Sequence, residues 1–152
     1  MIPIINRLFF ARGREFMINS VIFDIDGTIT DTEYPAMEAL RITLEQKAGL
    51  HYTHEQLKKY FGIPSADTLV ALNVPDPDGS IVKSWSSLFC EMAKEHTKIF
   101  DEIVPVLDIL KANKITLGVV TSKNKIEFNE SFVPLGLCNY FKACVDSEMT
   151  EA

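Results

Sequence analysis

The stretch "SVIFDIDGTITDTE", residues 20–33, constrains the fold more than any other part of the chain. Val21, Ile22, Phe23 and Ile25 form an apolar run without strict alternation, which predicts a short strand covered on both faces. Asp24 and Asp26 interrupt and close that run. An ionised carboxylate at the end of a buried strand is costly unless something pairs with it, and two of them, two residues apart, are costlier. Turn capping accounts for one of these aspartates but not for both. A hard cation removes the difficulty, because Mg²⁺ takes oxygen ligands and is usually held by one or two carboxylates together with substrate phosphate. In open parallel sheets, ligands bind beyond the carboxyl ends of the strands, where these two residues fall. Gly27 lets the chain reverse at once, and Thr28 can donate a hydrogen bond to a neighbouring carboxylate.

Beyond Pro35 the period becomes helical. Ala36, Ala39, Leu40, Thr43, Leu44 and Ala48 recur at three- and four-residue intervals, with Gly49 placed as a cap. Thr53 and Gln56 have capping-box spacing at the start of a second helix that Gly62 closes. A third short helix is expected over 64–73, followed by a loop at "VPDPDG". A longer helix over 80–99 carries Ile81, Trp85, Leu88, Phe89, Met92 and Ala93 on one stripe, a core pattern. A helix over 103–112, a strand over 115–122, a helix over 125–135 and a strand over 143–146 complete the reading. One strand, a block of helices and then alternating helix and strand predict an α/β fold: a Rossmann-like parallel sheet interrupted by a helical insertion.

The net charge of −6 leaves no broad positive face for nucleic acid or an anionic membrane, so any anionic ligand must be met by a local site. Cys90, Cys138 and Cys144 show no paired spacing and fit reduced thiols in a cytoplasm. No apolar run approaches the roughly 20 residues of a membrane span. "MIPIINRLFFARGREF" is a poor signal peptide, since it lacks a small-residue cleavage site. Residues 1–16 therefore read as a leader before a start at Met17, as a loosely packed extension, or as an added edge strand over 2–10. His51 and His54 read as a surface turn, and His96 as a lone helix residue.

"GVVTSKNK" ends the second main strand. Thr121 and Ser122 place hydroxyls and backbone N–H groups at the same carboxyl edge, which suits phosphoryl oxygens. Taken together, "FDIDGTITDTE", "LGVVTSKNK" and "LGLCNYFKACVDSEM", with helices between the first two, resemble the haloacid dehalogenase-like hydrolase superfamily, in the subgroup with a helical cap after the first strand. The resemblance runs from residue 17 onward. It implies an α/β core from 17–33 and 100–152, and a helical cap over 34–99. It implies that Asp24 is a nucleophile that becomes an aspartyl phosphate, and that Asp26 is the general acid and base. Mg²⁺ would lie on Asp24 and Asp26. Thr121, Ser122, Gly27 and Thr28 would surround the phosphate. Asp31, Thr32 and Glu33, with Lys123 nearby, would form a hinge and substrate region. The implied substrate is a small phosphorylated metabolite such as a sugar phosphate or phosphoglycolate. A phosphomutase of the β-phosphoglucomutase type and a non-catalytic binding fragment are the alternatives.

The chain departs from that family pattern near its end. The third motif, a lysine or arginine after the third strand, has no counterpart beyond Lys142, and the acidic fourth motif is absent. Lys123 and Lys125 could supply charge beside Thr121, although lysines at a helix start are usually solvated. Asp146 and Glu148 could reach a metal. The strand that flanks the first in this family is also missing, which leaves the Asp24 strand at a sheet edge, where apolar strands invite pairing. The expectation is the front half of a larger enzyme with an incomplete sheet, weakly active or inactive, and either poorly stable or self-associating through that edge.

Overall fold

The structure, a computed structural model, describes residues 10–11, 14–15 and 18–149. It begins with β1 (Phe10–Ala11) and β2 (Arg14–Glu15), which pair antiparallel as a small sheet of their own. The strand expected over 2–10 lies, up to residue 9, outside the described residues, as does most of what the other two readings of 1–16 rest on. The order then runs β3 (Ser20–Phe23), β4 (Thr30–Asp31), α1 (Glu33–Ala48), α2 (His54–Leu57), α3 (Ser65–Ala71) and α4 (Ser80–His96). It continues with β5 (Lys98–Ile99), α5 (Ile103–Ala112), β6 (Thr116–Val120), α6 (Lys125–Glu127) and β7 (Ala143–Val145).

Strands β3, β6 and β7 form a parallel sheet in that spatial order, with Val21 opposite Leu117, Phe23 opposite Val119 and Val119 opposite Cys144. These residues lean onto one buried cluster that contains Ile25, Ile29, Leu107, Phe132 and Leu137. Among the described residues nothing covers the opposite face, with Ile22 69% and Val120 45% exposed. Among the described residues β3 is therefore covered on one face, where both were expected. Both crossovers step across the sheet in the same direction, and a right-handed connection then puts both on the same side. Leu107 of α5 and Phe132 of the second crossover accordingly share one cluster. Among the described residues β3 has no strand on its outer edge.

A second buried cluster holds the helices together. Met37, Leu40, Leu44, Leu57, Trp85 and Phe89 close it, and the Trp85 indole N–H donates to the Ala36 carbonyl at 3.1 Å. The helix ends follow their sequence signals. Gly49 closes α1 at φ 65°, and Thr53 and Gln56 exchange both bonds of a capping box. The "VPDPDG" loop adds a cap of its own, because the Asp76 carboxylate accepts the N–H groups of Ile81 and Val82 at 3.0 and 2.9 Å.

Two features depart from expectation. The long helix over 80–99 stops at His96, and β5 follows, pairing antiparallel with β4 through Thr30–Ile99 and Asp31–Lys98. This two-rung ladder carries both chain crossings between sheet and helices. The helix over 125–135 breaks into α6, a π-type turn over Phe128–Phe132 and a 3₁₀ turn over Val133–Leu135. Pro134 cannot donate to the helical ladder, and Gly136, at φ 76°, ends the run.

Fully buried Phe132 and open-faced Ile22 give a direct test of this one-sided arrangement. Phe132→Ala should cost about 3–5 kcal/mol, whereas Ile22→Thr should stay within about 0.5 kcal/mol, both read from urea unfolding.

Candidate active site

The site forms where three strand ends meet. Immediately after β3 the chain turns back on itself: the N–H groups of Ile29 and Thr30 both reach the Ile25 carbonyl, at 2.8 and 3.0 Å. Gly27 sits in this turn at φ 72°, and a Cβ there would lie 3.1 Å from Cε1 of Phe61, in the segment between α2 and α3. Only glycine meets both demands without strain. The turn carries Asp24 and Asp26 out beyond the sheet, and Thr121 follows β6 at the same edge.

The two carboxylates have different surroundings. Asp24 is accessible to solvent, and the partial burial of its carboxyl pushes its pKa up. The Asp26 charge pushes the same way, while the Ile25 N–H and the charge of Lys123 oppose it. Asp26 Oδ1 is braced twice, accepting from the Thr32 hydroxyl at 2.5 Å and from the Lys123 ammonium at 2.9 Å. The hydroxyl that holds a site carboxylate thus comes from Thr32; Thr28 is exposed and uses its N–H on the Ile25 carbonyl.

Lys123 overturns the expectation of a solvated lysine, being only 4% exposed. Asn124 is the N-cap of α6, so Lys123 precedes the helix rather than starting it. Its N–H donates to Thr121 Oγ1 at 3.2 Å and its carbonyl accepts the Ser147 N–H at 2.9 Å, which turns the side chain inward. The ammonium ends between Asp26 and the ring face of Phe89 on α4, 4.2 Å from the ring centroid. Lys125 stays exposed, as expected. A cleft opens between sheet and helices, lined by Asp26, Ser122 and Lys123 on one side and by Tyr60, Phe61 and Trp85 on the other.

Thr121 is buried, and its N–H is spent on the Val145 carbonyl at 3.0 Å. Asp31 is exposed in the β4–β5 ladder. Glu33 turns away to His54 at 2.9 Å and Lys58 at 3.0 Å, contacts that hold its carboxyl below the usual range. Of the three expected hinge residues, Thr32 alone bonds to a site carboxylate. Asp146 is buried after β7, where it accepts the Glu148 N–H, and Glu148 accepts the Lys125 N–H. Tyr60, Phe61, Trp85 and Phe89 were not legible as site residues, since aromatic helix positions at core spacing look alike in sequence.

Among the described residues no group of three or more His, Cys, Asp or Glu side chains could enclose a metal ion. The smaller donor set still fits Mg²⁺. Two hard carboxylates lie near enough for the Asp26 charge to add to burial, the larger cause, in raising the Asp24 pKa, and a cation between them would relieve both.

Asp24 binds its proton more tightly folded than unfolded, so its contribution to stability is largest at low pH and is lost as pH rises from 3.8 through the raised value. Without divalent cation, Asp24→Asn should therefore raise the urea midpoint at pH 7, the gain should vanish in acid, and Mg²⁺ should narrow it by stabilising the wild type. Lys123→Met leaves a partly buried carboxylate unpaired and should cost about 3–5 kcal/mol at pH 7, with Asp26→Asn in the same chain recovering much of the loss.

Residues 21–152 match the sequence profile of the haloacid dehalogenase-like hydrolases. A Caldanaerobacter subterraneus protein provisionally named pyrophosphatase PpaX is 31% identical over 134 residues, which span 88% of this chain and 60% of that protein. A phosphoglycolate phosphatase of Neisseria meningitidis is 28% identical, covering 82% of this chain and 56% of its own length. The crystal structure of a Lactobacillus plantarum protein, provisionally a phosphoglycolate phosphatase, superposes with a TM-score of 0.82 over 90% of this chain and 65% of that one, at 17% identity. The chain thus spans about 60% of the length of such relatives.

Proposed function

The chain belongs to the haloacid dehalogenase-like hydrolases, and from that premise we propose that its site transfers the phosphoryl group of a small phosphorylated metabolite first to Asp24 and then to water. The observation that carries this reading is the division of labour between two adjacent carboxylates: Asp24 accessible, Asp26 braced by Thr32 and Lys123. A nucleophile must reach phosphorus, whereas a proton carrier must be held still beside the leaving oxygen.

In the first step an Asp24 oxygen forms a bond to phosphorus as the bond to the leaving oxygen breaks, and Asp26 hands that oxygen a proton. In the second, water attacks the same phosphorus, Asp26 takes its proton, and the Asp24–phosphorus bond breaks to release phosphate. Mg²⁺ held by Asp24 and Asp26 would screen the charge between carboxylate and phosphate. Thr121 Oγ1 already accepts the Lys123 N–H, so its own hydrogen is free to donate to a phosphoryl oxygen. Lys123 supplies positive charge where the substrate brings negative charge. Ser122, Gly27 and Thr28 border the phosphate, and the helical block acts as a cap whose aromatic residues exclude water.

The names of the similar proteins, a pyrophosphatase and a phosphoglycolate phosphatase, support a compact phosphorylated substrate and its hydrolysis.

With Mg²⁺ and an alkyl phosphomonoester, Asp26→Asn should lower kcat by about 10²–10⁴; with p-nitrophenyl phosphate, whose leaving group needs no proton, the first burst of p-nitrophenol should be largely kept while steady turnover, which still needs Asp26 as base, falls. Asp24→Asn and chelation of Mg²⁺ should each abolish phosphate release from both. Conversion of a sugar 1-phosphate to its 6-phosphate without phosphate release would refute the hydrolase reading.

A further inference from the structure

Helix α4 belongs to the core of the helical block, yet one of its faces looks outward at the residues after β6. Ser86 Oγ accepts from Asn124 at 3.3 Å, and Lys94 meets Glu130 at 3.0 Å. Phe89 lies between these two residues in sequence, three residues and one turn on from Ser86. Its ring is 5% exposed and is packed among α4 and α1 residues, but its free face is turned to the Lys123 ammonium. Lys123 has two partners of different kinds: a carboxylate on the sheet side and an aromatic ring on the helical side.

An ammonium is attracted to a ring face because the π cloud is negative there, and the attraction strengthens when water is excluded, as it is around this 4% exposed lysine. A flexible four-carbon stem would otherwise allow the charge several positions. We propose that Phe89 is a positioning residue: its ring fixes the Lys123 ammonium against Asp26, so that the seat of the helical block on the sheet determines the charge beside the acid–base carboxylate. This rests on the phosphoryl-transfer reading for its catalytic meaning but not for its geometry. When the block lifts away, Lys123 loses the ring and Asp26 loses a fixed partner.

The test is nuclear magnetic resonance on the 152-residue chain with ¹³C-labelled lysine. Ring current should move the ε-methylene signal of Lys123 upfield of the other lysines, with a through-space contact to the Phe89 ring protons. Lys123→Met identifies the signal by its loss. In Phe89→Leu, which keeps most of the apolar volume, the signal should return to the ordinary lysine position; in Phe89→Tyr, which keeps the ring, it should stay shifted. Absence of the shifted signal and of the ring contact in the folded wild-type chain overturns the proposal, whatever the variants do. So does a signal that survives Phe89→Leu unchanged. These spectra need no turnover: an inactive chain with the shifted signal sinks only the phosphatase reading, and an active chain without it sinks only this inference.

Discussion

The pair between Asp26 and Lys123 is the interaction around which the rest is arranged. Its 2.9 Å contact is mostly withdrawn from water, with 16% and 4% of the two side chains exposed. Removing two charges from solvent costs several kcal/mol per ion, and their attraction repays that only with good geometry and further bonds. Both conditions are met by other parts of the chain. Thr32 donates to Asp26 from the end of the β4 segment, Phe89 faces Lys123 from α4, and the Thr121 hydroxyl and Ser147 N–H fix the lysine backbone. Four stretches of the chain that are distant in sequence therefore converge on one ion pair.

That convergence shapes the division between sheet and helices. Each has its own buried cluster, and they are joined by the short β4–β5 ladder and by contacts that Ser86, Phe89 and Lys94 of α4 make. A ladder of two rungs resists bending far less than a packed core does. Phe61 approaches the Gly27 turn across the cleft, so the two sides meet there without a packed core between them.

Much of this was legible in the chain. Asp24 and Asp26 stand out because charge at the end of an apolar run demands a reason, and Gly49, Thr53 and Gln56 are caps whose chemistry is local. The parallel sheet followed from the alternation after residue 100. What escaped depends on long-range geometry. Strands of two residues, such as β4 and β5, are too short to show a period. The open face of Ile22 follows from the direction of two crossovers, which no residue encodes by itself. Lys123 looked like a solvated lysine because nothing near it in sequence shows that Phe89 and Asp26 meet it in space. The break after Glu127 had a local cause in Pro134, but it begins at Phe128, earlier than proline alone dictates.

The central claim is that Asp24 accepts the phosphoryl group while Asp26 and Lys123 remain in place beside it. Borohydride added during incubation of the chain with Mg²⁺ and a reactive aryl phosphate reduces an acyl phosphate to an alcohol, and peptide mass mapping then locates the change. The account predicts homoserine at position 24 and aspartate unchanged at position 26. Phosphate release with Asp24 intact, or reduction at Asp26 instead, would contradict it.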